Sequence, residues 1–542
     1  MFGEPCLPPP NSAIFHWVWI YLIKENPTEG IRYKARAVCD GSSRGGQAQI
    51  HGATYAPTPD LTDFRIFVAL CSMENKYIFG SDVSNAFAEA PRCRQQYYMR
   101  VDTQFRSWWK AKGRGDIPSG YVIPVNKNLQ GHPEAPRQFH LHIDKILRDY
   151  DFKPTTHAPC LYRGTIDGHD VLFLRQVDDF AIGTTSKAIY DKICDQLDSN
   201  LLEPMTRHGL LKHYNGVDIL QTRNFITIHC GTYLDKLFES HGWNDLTPVS
   251  IPMKADNSYI RQLDATASTE TERQLLETQR FRYRGAIGEL IWAMVCCRPE
   301  LSFPVVKLSQ FSTTAADIHY DAVHTIFRYL SGTRDHGLTY WRLRPMSDLP
   351  DVAPPPRLCN ATEQSIYHDA TTADTFSPSH LFGYLDSDWA MDIRHRRSIS
   401  GIIFMLAGAA VSWKCRVQTT PATSSTEAEF LCASDGGRMA LHLRSILDEL
   451  NVPQQYATVL YEDNRGALLM ATAGQPTRQS RHIDIRNFAL LDWVERDLVD
   501  LESISTSVNA ADLATKQVGP ILFRRHLDNV SGRLRPPWAP CD

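Results

Sequence analysis

The chain has no Cys-x-x-Cys pair, although thirteen cysteines are scattered through its 542 residues. This odd, unpaired set argues against a zinc-finger framework and a disulfide scaffold, and it points to reduced thiols in the cytoplasm or nucleus rather than to secretion. A long hydrophobic run is also missing. The most apolar early stretch, residues 13–23, is interrupted by His16 and is too short to span a bilayer. It has neither a basic leader nor a small-residue cleavage site, so it does not read as a signal peptide, and no membrane partner is expected. The absence of a P-loop, a dinucleotide glycine fingerprint and a His-Glu-x-x-His pair argues against Walker-type nucleotide hydrolysis and zinc proteolysis. A large excess of one charge sign is missing as well: 57 Lys and Arg against 61 Asp and Glu give a formal net charge of −4. That balance does not advertise a nucleic-acid binder, but acidic catalytic centres offset basic grooves and only the local distribution matters. Basic clusters are present at 110–114, 394–397, 478–486 and 524–535, each also readable as a solvated face.

With 43% hydrophobic and 22% charged residues, the chain has the composition of a globular protein of two to four domains. Residues 1–30 form a ragged start with several prolines and an aromatic, strand-like run without an obvious partner. Strands and helices alternate over 31–255, and 256–345 reads as mostly helical. A Pro-rich, acidic linker covers 346–378. Over 379–520 three strands precede alternating helices and strands, which predicts an α/β domain with a mixed sheet and a final helix from Ala510. Residues 521–542 form a basic, Pro-containing tail.

Two acidic constellations carry the chemistry. In the first, the apolar runs Val171–Val177 and Phe180–Gly183 flank Asp178-Asp179, which reads as a hairpin with the two carboxylates in its turn. Taken alone, the pair reads first as an ordinary hairpin turn, because Asp is a favoured turn residue. Upstream, Ser81-Asp82-Val83-Ser84-Asn85-Ala86-Phe87 reads as a strand whose alternation points Asp82, Ser84 and Ala86 to one face, where Asp82 meets Asp178 and Asp179; alone, Asp82 is equally a strand-start acid. Three converging carboxylates form a hard-oxygen site for Mg²⁺ or Mn²⁺, and two such ions suit nucleotidyl transfer.

The pieces Lys34-Ala35-Arg36-Ala37-Val38, Thr54-Tyr55-Ala56-Pro57, Asp82 to Phe87, Tyr98-Met99, Ala135-Pro136-Arg137, Val177-Asp178-Asp179 and Gly216-Val217-Asp218-Ile219 come in this order. In that order the chain resembles the reverse transcriptase of Ty1/copia-type retrotransposons. The resemblance implies a right-hand polymerase with fingers and palm over 31–255 and a thumb or connection over 256–345. Asp82, Asp178 and Asp179 would be its metal ligands. Phe87 matches an aromatic gate against the 2′-hydroxyl of ribonucleotides, with a core phenylalanine as the alternative. Lys34, Arg36, Arg137 and Gln176 fall on substrate-contacting segments. Two positions depart from the family pattern: Gln176 stands where tyrosine is usual, and Glu134 brings an acid toward the expected nucleotide or template.

The second constellation is Asp386, Glu429, Asp463 and Asp512, in the order strand, helix, strand end, helix. Asp388 competes with Asp386 for the first role. Ser424 and Glu427 form a capping box, which gives Glu427 a structural task and leaves Glu429 without one. This pattern, with Arg396-Arg397-Ser398-Ile399-Ser400-Gly401, Val411-Ser412-Trp413 and Arg481-His482-Ile483-Asp484-Ile485, resembles the RNase H domain of the same elements. It implies two-metal hydrolysis of the RNA strand of a hybrid, with Arg396 and Arg397 on phosphates; His482 reads as a surface or core residue or as a group assisting at the site.

The expectation is therefore an RNA-directed DNA polymerase with RNase H activity, holding two Mg²⁺ (or Mn²⁺) ions per active site. Its partners would be an RNA template, a DNA primer, the RNA–DNA hybrid and dNTPs, together with other Pol or Gag products, in virus-like particles or the nucleus. No upstream protease, integrase or nucleocapsid region is visible, which suggests a polyprotein fragment or a stand-alone remnant. The alternative is an inactive, retrotransposon-derived nucleic-acid-binding relic.

Overall fold

The computed structural model describes residues 1–26, 30–42, 53–93, 95–359, 377–392, 396–472 and 485–540. His482 and most of the basic run 478–486 lie outside the described residues, as do Arg394 and His395. Among the described residues no helix is long and apolar enough to cross a membrane.

The aromatic run near the start does have a partner. Trp17–Asn26 pairs antiparallel with Gly30–Cys39, with Ile20 opposite Arg36 and Leu22 opposite Lys34. The next sheet is six-stranded and antiparallel, with Tyr77–Asp82 between Thr206–Leu210 and Asp179–Thr184, followed by His169–Gln176, Leu161–Ile166 and Lys153–Pro154. It is covered on both faces, which is why the 171–174 run is apolar without alternation. Leu172 and Leu174 belong to the core of the helix Leu61–Met73. Val171 and Phe173 pack with Phe139, Ile143 and Leu147 of Ala135–Asp149 and with Ile189 and Ile193 of Lys187–Asp198.

Five helices follow between residues 257 and 331, as the helical reading of this stretch expects. Gly337–Trp341 then closes a four-stranded sheet with residues from 213–229. The C-terminal region is an α/β layer with strand order Ala409–Val417, Arg397–Leu406, Phe382–Asp392, Thr458–Glu462, Val499–Ser503. Its first two pairings are antiparallel and its last two parallel, a mixed sheet. The 25-residue helix Ser425–Glu449 lies across it. At Gly436 a Cβ would come within 2.6 Å of a terminal methyl of Leu385, so a larger residue here requires the Leu385 side chain to shift.

Two local expectations change. The expected helix from Ala510 is a short 3-10 turn, Ala510–Ala514, and the α-helix begins at Pro520. Residues 521–542 were expected as a tail, yet Phe523, Leu527 and Val530 are buried, and Trp538 and Ala539 pack with Phe225 and Trp341.

The C-terminal layer is fastened to the first half through Arg65. Its guanidinium donates to the carbonyls of Val411 (2.7 Å), Val295 (2.7 Å) and Cys296 (2.9 Å) and lies 3.9 Å over the Trp413 ring. Arg65→Ala leaves these buried acceptors unpaired and is expected to cost roughly 3 kcal/mol, read as a lower midpoint in urea unfolding of the full chain.

Two candidate acidic centres

The hairpin forms one residue earlier than the sequence suggests. Gln176 pairs with Asp179, so the two-residue turn is Val177-Asp178, and Asp179 is the first residue of its strand. Val177 takes a left-handed backbone (φ 57°), which a β-branched residue adopts only when its surroundings impose it. Here the ladder does so on both flanks: Asp179 also pairs directly with Asp82, and the Val83 N–H donates to the Asp178 carbonyl (3.0 Å). Directly opposed residues share a sheet face, so Asp82, Asp179 and Gln176 form one row at the strand ends. Only Asp82 of the expected alternating set is on the strand, because Asn85 turns left-handed (φ 50°) and Ala86–Glu89 is a helical turn.

The electrostatics reflect this crowding. Partial burial, then the charges of Asp178 and Asp82, push the Asp179 carboxyl up to about 6. Burial first, and Asp82 second, raise Asp178, while the nearby cations Arg36 and Lys34 pull it down. The basic strand Gly30–Cys39 therefore lies within electrostatic range of this centre.

The remaining residues of this region serve local structure as well. Phe87 is half-buried and makes an edge contact with Phe139 at 6.2 Å between ring centres. Arg137 donates to the Tyr55 carbonyl (3.2 Å), tying Thr54-Tyr55-Ala56-Pro57 to the start of the helix Ala135–Asp149. Glu134 is buried in front of that helix, beside Cys93 and His132, instead of lying on an open surface. The Gln176 side-chain carbonyl oxygen is buried without a hydrogen-bond partner.

The second centre is assembled by backbone proximity. Asp386 lies in the central strand opposite Gly401. A Cβ at Gly401 would come within 2.5 Å of Thr515, so this glycine admits the 3-10 turn that carries Asp512. Asn509 anchors the turn by donating to the Leu385 carbonyl (2.7 Å). Asp463 follows the strand Thr458–Glu462, and Glu429 lies in the first turns of the helix Ser425–Glu449. That helix starts as expected on Ser424, which accepts from the Glu427 N–H (3.1 Å), but the Glu427 carboxylate reaches back to the Thr423 N–H (2.6 Å).

One carboxylate oxygen each of Asp386, Glu429 and Asp463 lie within 4.8 Å of one another, a set that does not include Asp388. Asp386, Glu429 and Asp512 are almost fully buried. Burial first, then Glu462 and Asp386, push Glu429 up to about 11; burial first, then Asp386, push Asp512 up to about 8. One Glu429 carboxylate oxygen has no hydrogen-bond partner. Arg396 (exposed, φ 53°) and Arg397 lie at the start of the strand Arg397–Leu406, on the same sheet.

Sequence reasoning passed over two residues here. Glu462 is fully buried, raised well above the ordinary carboxylate range by burial and its acidic neighbours, and one of its oxygens is unpartnered. Its adjacency to Asp463 at the strand end was the available signal. Lys516 is the other: its ammonium lies 2.7 Å from Asp512 and 3.4 Å from Asp386.

The reverse transcriptase (RNA-dependent DNA polymerase) family matches residues 7–255. The chain is 26% identical over 504 residues to the retrovirus-related Pol polyprotein from transposon TNT 1-94 of Nicotiana tabacum, covering 92% of this chain and 34% of that protein. It is 24% identical over 531 residues to the retrovirus-related Pol polyprotein from transposon RE2 of Arabidopsis thaliana, covering 98% and 33%. The chain thus spans about a third of the length of these relatives. Among solved structures, a foamy viral protease–reverse transcriptase in complex with double-stranded DNA aligns over 90% of this chain and 67% of that one, at 12% identity and a TM-score of 0.42. Residues 7–255 are a reverse transcriptase domain, and the chain belongs with the retrovirus-related Pol polyproteins of copia-type transposons.

Proposed function

We propose that the chain is an RNA-directed DNA polymerase with a ribonuclease H centre, divided as 31–255 fingers and palm, 256–345 thumb and connection, and 379–520 nuclease. The polymerase reading is carried by the direct pairing of Asp82 with Asp179, which brings acids about a hundred residues apart to one point, with Asp178 beside them and Lys34 and Arg36 in electrostatic reach. The donor set fits hard divalent cations: crowded carboxylates in the first centre, and in the second three carboxylate oxygens within 4.8 Å, with one buried oxygen of Glu429 lacking a hydrogen-bond partner. Ions bound there would supply Lewis-acid stabilisation of a phosphoryl transition state. Asp82, Asp178 and Asp179 hold the first set and Asp386, Glu429, Asp463 and Asp512 the second. Lys34 and Arg36 bind triphosphate or template phosphate, and Arg396 and Arg397 the hybrid backbone.

RNA, DNA primer and dNTPs are the substrates of this reading, with Mg²⁺ or Mn²⁺ as cofactor. Primer extension on an RNA template and cleavage of a labelled hybrid by the full chain test the two halves separately. Inertness in both assays would leave the rival reading, a nucleic-acid-binding relic. Phe87 belongs to the same reading as the sugar gate. Phe87→Val is expected to raise ribonucleotide incorporation relative to deoxynucleotide by tenfold or more, on the order of 1.4 kcal/mol of lost discrimination. An unchanged ratio in matched single-nucleotide extensions would make Phe87 a packing partner of Phe139 alone.

A further inference from the structure

The acids of the second centre do not share one environment. Asp386, Glu429 and Asp463 converge; among the described residues no Lys, Arg or His forms an ion pair with Glu429 or Asp463, and one Glu429 oxygen is buried without a hydrogen-bond partner. Asp512 is not a member of that trio, and it is already supplied with positive charge. The Lys516 ammonium lies 2.7 Å from Asp512 and 3.4 Å from Asp386. Its place is fixed locally, because Asp512 lies within the 3-10 turn four residues before it and Thr515 Oγ1 donates to Asp386 from the same segment. The Lys516 side chain is 30% exposed, so it has a route outward.

We propose that Lys516 is a resident cation in one of the two ion places of this centre, so that the centre loads in sequence. The proposal rests on the reading of the second centre as a divalent-ion site. The first ion enters among Asp386, Glu429 and Asp463, where Lys516 is paired with Asp386 alone and less closely than with Asp512. A second ion between Asp386 and Asp512 binds only by turning the Lys516 ammonium out toward solvent. Without nucleic acid, the protein's own ammonium meets the need for charge on that side, which restrains full loading until a substrate phosphate adds negative charge. Lys516 is a positioning residue in this scheme, acting through Asp386 and Asp512.

The test counts ions and needs no turnover. The full chain carrying Asp178→Asn and Asp179→Asn, which weakens ion binding at the other centre, is titrated with Mn²⁺ alone, and free Mn²⁺ is followed by electron paramagnetic resonance. One tight ion and a second bound at least tenfold more weakly are expected. Lys516→Met, which keeps the apolar stem and removes the charge, should tighten the second ion about tenfold or more, while Lys516→Arg should stay within about threefold of the parent. Two ions of equal affinity on the parent overturn the proposal without recourse to any variant, as does a second ion unmoved by Lys516→Met. Failure of the underlying reading looks different: no Mn²⁺ bound by the parent, or a tight ion that survives Glu429→Gln, removes the metal centre itself.

Discussion

Asp178→Asn is expected to abolish primer extension on an RNA template, by roughly 10³-fold or more, with little loss of fold. The estimate follows from losing a ligand that stabilises phosphoryl charge, worth several kcal/mol, at about 1.4 kcal/mol per tenfold. Asp178 sits in the two-residue turn with its carbonyl, not its carboxylate, tied to the ladder through Val83. An amide there keeps the backbone contact and relieves repulsion from Asp82, so thermal stability should hold or rise slightly. Asp179→Asn should behave alike in activity. Full-length extension by either variant at the parent rate, scored on a sequencing gel with Mg²⁺ and again with Mn²⁺, would remove the polymerase assignment of these acids.

Glu429→Gln is expected to cut hybrid cleavage by a comparable factor and to stabilise the ion-free protein. Burial and the charges of Glu462, Asp386 and Asp463 hold the Glu429 proton up to about 11, and Asp512 holds its own up to about 8. In an unfolded chain both groups release protons near pH 4. Between these limits the folded chain binds more protons than the unfolded one, so this contribution to stability is complete below about pH 4 and is lost as the pH rises toward 8 and beyond. Thermal midpoints in chelator should therefore fall from pH 5 to pH 8. Added Mn²⁺ should restore them most at the high end, because ion and proton compete for the same oxygens. Glu429→Gln should flatten the fall in chelator and abolish much of the restoration. A parent midpoint that is level from pH 5 to 8, with or without Mn²⁺, contradicts this account.

The first centre was largely legible because its elements are local and strongly patterned. The apolar runs around Asp178-Asp179 left little choice but a hairpin, and turn chemistry alone misplaced it. Asp-Asp reads as a favoured turn pair, but direct pairing of Asp179 with Asp82 draws Asp179 into the strand and leaves Val177 to take the left-handed position. The partner of the aromatic run 17–26 was missed because most of this two-stranded ribbon is exposed, and only its base, at Trp17, Trp19, Val38 and Cys39, packs against the body to mark a register. Glu134 read as an intruder near the template, and burial beside Cys93 and His132 gives it a different setting. The basic segment after residue 520 read as a tail because Arg524, Arg525 and Arg535 hide the spacing of Phe523, Leu527 and Val530, which face the core.

By itself the sequence determined which acids stand at strand ends and helix starts, in what order, and that the chain carries a reverse transcriptase domain. Those features rest on periodicity, turn chemistry and short motifs, all of which act within a few residues. The tertiary structure alone decided what those acids meet. Asp82 faces Asp179 because two antiparallel strands fix their register over their whole length. Asp386, Glu429 and Asp463 converge while Asp388 stays outside that trio. Asp512 arrives beside Asp386 because Gly401 has no side chain to hold the 510–514 turn away, and with the same turn comes Lys516. Burial then turns proximity into chemistry, since crowded carboxylates removed from water keep their protons or require a cation.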